Sequence, residues 1–109
     1  MIKKISRTQQ ELAIYYLLTY QYVANILTER EPYRANHLAR LKNYQERGKL
    51  LLAGATGDPI TGACFAFKLE SASMVQQFVD QDPYVKNGLV TDYVIQPWTV
   101  VIGSAHDDK

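Results

Sequence analysis

The sequence predicts an α+β domain, a four-stranded antiparallel sheet covered on one face by two helices, and three observations carry that expectation. A tyrosine-rich run near the start, IYYLLTYQYV at residues 14–23, is apolar on both alternating faces. Two short apolar runs, KLLLAGA and ACFAFKL, flank the turn-rich TGDPITG at residues 56–62. Stretches with apolar residues three and four apart lie on either side of that hairpin, and a β-rich run, LVTDYVIQPWTVVI at 89–102, follows the second.

Each element has its own justification. Residues 1–12, MIKKISRTQQEL, are basic and polar with little periodicity, and read as an N-terminal extension, flexible or loosely helical. The 14–23 run suits an interior strand because both of its faces are apolar. Asn25 or Thr28 then caps a helix that passes Pro32, Leu38, Leu41 and Tyr44 and stops at Gly48. Proline is tolerated only in a first turn, so a break is expected at Pro32 if the helix starts earlier. The Gly, Asp and Pro of TGDPITG make the following strands a hairpin. Ser71 caps a second helix with Ala72, Met74, Val75, Phe78 and Val79 on one face, and Asp82 and Pro83 end it. The last strand spans Leu89 to Ile102 and is broken or bulged at Pro97, which has no N–H to donate to a ladder. One domain over 13–103 and a flexible tail over 104–109 complete the organisation. The order is the split βαβ, or ferredoxin-like βαββαβ, arrangement. Because strands one and four are apolar on both sides, the face away from the helices needs a cover. A second copy of the chain, packed sheet to sheet as a homodimer, supplies it most simply.

Composition narrows the function. A net charge of +1 with 21% charged residues gives no pull toward polyanions, so neither nucleic acid nor an anionic membrane is an expected partner. The many tyrosines, among them Tyr15, Tyr16, Tyr20, Tyr22 and Tyr93, lie among apolar neighbours and read as rings that fill the dimer interface or line a pocket, not as a base-stacking platform. The single cysteine, Cys64, lies in an apolar run, and a reducing compartment, the cytoplasm, is the expected location. No apolar stretch approaches the roughly twenty residues of a membrane span. Phosphate-binding glycine loops, cysteine pairs and His-Glu-x-x-His spacings do not occur, so no metal or cofactor is expected.

Of two histidines, His106 lies in the polar tail, whereas His37 follows Arg34 by three residues and borders the apolar side set by Leu38 and Leu41. A lone border histidine is more often a ring that packs locally than a functional group. The stretch QDPYVKNGL at 81–89 bears on it, although Asp82-Pro83 is also a routine helix stop. In this topology the last strand lies antiparallel beside the first. The loop leading into it therefore shares one end of the sheet with the start of the first helix, which brings Asp82 within plausible reach of His37. A carboxylate on one imidazole nitrogen fixes the tautomer and raises the basicity of the other, as a general base requires.

Three motifs in order, Tyr33-Arg34-x-x-His37-Leu38-Ala39-Arg40-Leu41, Gly48-Lys49-Leu50-Leu51-x-Ala53-Gly54 and Asp82-Pro83-Tyr84-Val85-x-x-Gly88-Leu89, resemble the YciI-like (YCII-related domain) family from about Tyr15 to Gly103. The resemblance implies a dimeric α+β barrel, in agreement with the pattern, and a His–Asp catalytic pair that maps onto His37 and Asp82. Family members often carry Gly-Pro where this chain has Gly54-Ala55, and some have a longer excursion than TGDPITG, differences that bear on pocket shape and substrate.

Two classes of function fit. In one, a cofactor-independent isomerase or lyase, His37 takes a proton from a small organic substrate, Asp82 orients it, and Arg34, Tyr84 and Gly54 form the substrate-binding set. In the other, a dimeric small-ligand-binding or accessory module, the same pair is an internal tie. Arg34 also has an ordinary alternative as a surface partner of Glu29 or Glu31.

Overall fold

The computed structural model describes residues 15–103, so the N-terminal extension expected at 1–12, His106 and the tail lie outside the described residues. The elements run β1 (Tyr15–Tyr22), α1 (Ile26–Glu29), a 3-10 turn (Glu31–Tyr33), α2 (Arg34–Glu46), β2 (Leu50–Thr56), β3 (Gly62–Lys68), α3 (Ala72–Gln81), α4 (Pro83–Lys86) and β4 (Val90–Pro97). The sheet is antiparallel in the order β2-β3-β1-β4, the ferredoxin-like arrangement, with β1 interior as its two apolar faces foretell.

Alternation along β1 and β3 sends Leu18, Tyr20, Ala63, Phe65 and Phe67 toward the helices, where they bury against Val75, Phe78 and Val79 of α3. Phe78 packs edge-on to Phe67 and tilted on Phe65, with ring centroids 5.0 and 5.6 Å apart. Arg40 of α2 donates to the Phe78 carbonyl at 3.1 Å and lies over the Phe78 ring at 4.7 Å, which ties the two longer helices together. Among the described residues no helix is long and apolar enough to cross a membrane.

Four details sharpen the sequence expectation, two of them the breaks expected at Pro32 and Pro97 and two of them departures, each for a local reason. The first helix is divided: Asn25 holds a left-handed φ of 61° ahead of α1, a conformation asparagine tolerates. Pro32 then falls in a 3-10 turn and α2 starts only at Arg34. Asp82 does end α3, but Pro83 opens the short α4 instead of a plain loop. Proline pushes the residue before it out of helical backbone, and its own fixed φ suits the first position of a new helix. The last strand stops at Pro97, with Val101 and Ile102 exposed beyond it, and the register shift lies between Gln21 and Tyr22, not at the proline. Finally, β4 is an edge strand whose residues are mostly exposed on both faces, in contrast to the two-sided burial its composition suggests.

The end of the sheet where β1 leaves, β3 begins and β4 begins is held tightly. A Cβ at Gly62 would run into the Tyr20 carbonyl oxygen, so this residue must lack a side chain for β3 to approach β1. Gly54, near the middle of β2, has open space around its missing Cβ. Gly62→Ala is therefore expected to lower the unfolding free energy by about 1–3 kcal/mol, and Gly54→Ala by well under 1 kcal/mol at roughly the ordinary surface level. Urea denaturation of the two variants checks the contrast; equal losses would contradict the packing described.

Candidate functional site

His37 lies in the first turn of α2 and is the buried residue of that helix, 5% exposed, whereas the adjacent Leu38 is 43% exposed. The histidine is thus not at the border that residue spacing suggested but deeper than its apolar neighbour. A buried polar side chain needs a partner, and His37 finds Asp82: Nδ1 lies 2.8 Å from Oδ1. Asp82 is fully buried at the junction of α3 and α4, with an extended backbone. Its Oδ1 also accepts the Tyr84 backbone N–H at 3.1 Å, and its Oδ2 accepts the Tyr20 hydroxyl at 2.6 Å. A carboxylate only accepts hydrogen bonds, so Nδ1 is the donor in this pair, and in the neutral imidazole that leaves the lone pair on Nε2.

The ring is also fixed in orientation. Tyr84 stacks on it at 3.8 Å with planes 7° apart, and Phe65 meets it edge-on at 6.3 Å. Beside it lies a cavity of about 310 Å³, lined by His37, Arg30, Arg34, Leu38 and Leu41 from the helical side, by Ala53, Gly54 and Ala55 of β2, by Ile60 of the hairpin loop, and by Tyr22, Ala63, Phe65 and Tyr84. That volume is at the lower end for small-molecule sites and accommodates a single ring. Among the described residues no group of three or more His, Cys, Asp or Glu has the arrangement of a metal centre.

The five residues singled out from sequence come together here: His37, Arg34, Tyr84 and Gly54 line the cavity, and Asp82 lies directly behind His37. Arg34 forms no ion pair with Glu29 or Glu31; the only side-chain ion pairs among the described residues are His37–Asp82 and the exposed Lys42–Glu46. Tyr84 contributes its stacked face and a buried hydroxyl that lacks a well-formed hydrogen bond. The Arg34 guanidinium lies near that hydroxyl and opposes the rise in its pKa without completing a well-formed hydrogen bond to it. Sequence reasoning missed Arg30 and the role of Tyr20. Arg30, Arg34, His37 and Leu41 are spaced four, three and four, a single helical face that persists across the 3-10 turn and had been readable. Nothing local marks Tyr20 as the second support of Asp82; its pairing spans 62 positions of the chain. Tyr93 is on the helix side of the sheet, bonded to Gln76 at 2.9 Å, and so does not belong to the open face.

Residues 14–99 match the model of the YCII-related domain. An uncharacterised protein of Haemophilus influenzae is 33% identical over 97 residues, covering 81% of this chain and 99% of the relative. A protein called YciI from Escherichia coli is 33% identical over 95 residues, covering 79% and 97%. Among solved structures, a 5-chloro-2-hydroxyhydroquinone dehydrochlorinase from Burkholderia phenoliruptrix, in complex with 2,5-dihydroxybenzoquinone, superposes with a TM-score of 0.68 at 26% identity, covering 79% of this chain and 94% of its own.

Three phenols around the pair are held in their neutral form. Burial, and next the negative charge of Asp82, push Tyr20 far above the ordinary tyrosine value near 10. Burial also raises Tyr22, helped by Tyr84 and Asp82. Tyr84 is raised by burial, which outweighs the opposing pull of the Arg30 and Arg34 charges. Below about pH 10 these groups are protonated in both folded and unfolded chains and contribute no pH dependence. Above it the unfolded chain releases protons that the folded chain retains, so stability falls as pH rises. Absorbance titration of the phenolate band should find two of the eight tyrosines, Tyr20 and Tyr22, silent until the protein unfolds, with the melting temperature declining from about pH 10 upward. Complete ionisation near pH 10 with the fold intact would contradict this.

Proposed function

The chain belongs to the YCII-related domain family, and from that premise we propose that it is a cofactor-independent enzyme of the isomerase or elimination-lyase type, with His37 as general base and Asp82 as its positioning partner. The observation that carries the reading is the imidazole tied through Nδ1 to a fully buried carboxylate, with its other nitrogen unpartnered beside a ring-sized cavity.

In this reading Nε2 takes a proton from an acidic C–H or O–H of a small organic substrate. The imidazolium that forms keeps its charge next to Asp82. The electron pair left behind moves into conjugation with a substrate oxygen, which Arg34 holds as it becomes negative. In an isomerase His37 returns the proton to another atom; in a lyase the pair expels a leaving group. The β2 wall presents only the small side chains of Ala53 and Ala55 and the backbone of Gly54 to the cavity, so a flat ring can approach the strand. The dehydrochlorinase likeness supports the elimination form, because loss of hydrogen chloride is removal of a proton and a chloride from one molecule, and its ligand is a single ring with acidic oxygens. One positioned base contributes about a hundred- to ten-thousand-fold in rate, which suits activated substrates.

A non-catalytic ligand-binding module has one observation in its favour: the His37–Asp82–Tyr20 chain of bonds also fastens α2, the α3–α4 junction and β1 to one another. Turnover separates the two. Assayed by absorbance against hydroxylated and chlorinated quinols, His37→Gln should lose at least about a hundredfold in kcat while retaining the far-ultraviolet spectrum and cooperative melting of the parent. A catalytically unaltered variant would sink the enzymatic reading, and a variant that binds the same ligands with no parent turnover would favour the module.

The protein acts as a homodimer in this proposal, paired through the face of the sheet away from the helices. Leu52, Val94 and Trp98 are 74%, 46% and 44% exposed, and the first and last of them line, with Leu17, Cys64 and Ala66, an apolar hollow on that face. A two-fold axis through it sets each patch against its own copy. Light scattering should give twice the chain mass, and Leu52→Asp should shift the protein toward monomer with the site intact; a monomeric parent would refute the pairing.

A further inference from the structure

The helical wall of the cavity carries two guanidiniums with no counter-charge. Among the described residues neither Arg30 nor Arg34 meets a carboxylate, and the cavity lining contains no acid. The Arg30 Nε is buried without a hydrogen-bond partner, and so is the hydroxyl of Tyr84, a residue only 1% exposed. Orphaned buried donors are costly, and three groups orphaned or unpaired around one opening share a single remedy, a ligand rich in acceptors. Planar guanidiniums match the paired oxygens of carboxylates and conjugated enolates better than a lone ammonium would. Apolar walls from Leu38, Leu41 and Ile60 surround the charges, so an occupant must be an organic anion with an apolar body.

We propose that Arg30 and Arg34 form a two-pronged anchor, completed by the Tyr84 hydroxyl as donor, which makes the cavity selective for the anionic form of small planar organic acids. Arg30 is the discriminating residue, because its Nε–H is already desolvated and gains a partner only when the anion is present. The inference rests on the cavity being the substrate site of the proposed enzyme, but it concerns binding and stands apart from proton transfer. The tyrosine remains a neutral donor at ordinary pH because burial raises it despite both arginines.

Benzoate and salicylate serve as probes, with benzamide and salicylamide as their uncharged counterparts, in calorimetric titrations paired with NMR of the arginine Nε–H signals. The acids should bind at least about tenfold more tightly than the amides, as expected for losing charge-assisted hydrogen bonds, weaken with added salt, and shift the Arg30 Nε–H resonance. Arg30→Gln should cost about tenfold or more in affinity for the acids and leave the amides unchanged. His37→Gln should retain the acid preference, so loss of turnover there with anion binding intact would separate the two proposals. Equal binding of acids and amides, no saturable binding of either acid up to the millimolar range, or an Arg30→Gln variant indistinguishable from the parent would overturn the anchor.

Discussion

A carboxylate with no exposed surface, Asp82, sets the terms for the rest of this structure. Removing an ion from water costs several kcal/mol, roughly, unless the protein supplies donors in its place. Here the replacements come from three directions: an imidazole on α2, a phenol on β1 and a backbone N–H of α4. Each requires the others. The helix must begin where it does for His37 to point inward, β1 must present Tyr20 on its helix side, and the chain must turn sharply at Asp82 for the Tyr84 N–H to fold back onto the carboxylate. The Asp-Pro pair accomplishes that turn, since the proline bars its predecessor from helix and starts the next one.

The same interaction links fold to chemistry. A histidine that merely filled space would have both nitrogens free to choose partners, whereas this one has its proton pinned to the nitrogen facing Asp82. The stacked Tyr84 ring and the edge of Phe65 then leave the imidazole little freedom to rotate. The cavity surrounds the remaining nitrogen with parts of every layer, the helical face supplying charge and β2 supplying small side chains. Rigidity of this kind is what a positioned base needs, and a site assembled mostly from regular elements delivers it.

Much of this was legible in the sequence because it was written in local patterns. The two-sided apolar run of β1, the hairpin around TGDPITG and the three-four spacing of Val75, Phe78 and Val79 fixed the order of elements, and from that order followed the nearness of Asp82 to His37. The break at Pro32 was foreseeable from the missing N–H. What escaped was either non-local or hidden by a stronger local signal. Tyr20 looked like any other strand tyrosine, since its bond to Asp82 depends on which face of β1 meets the helices. Asp82-Pro83 looked like a stop, which concealed the new helix that begins there. Leu38 looked like core and His37 like border because helical spacing is blind to a cavity; next to one, an apolar residue lies at the rim while the polar residue is buried.

The central claim is that Asp82 holds the His37 proton on Nδ1 and leaves Nε2 as a free base beside the cavity. Long-range nitrogen–proton NMR of the imidazole measures this directly. In the parent protein near pH 8 the account predicts the Nδ1–H tautomer for His37, with Nδ1–H protected from exchange, and conversion toward a mixed population in Asp82→Asn. A His37 ring carrying its proton on Nε2, or one whose tautomer is indifferent to residue 82, would contradict it.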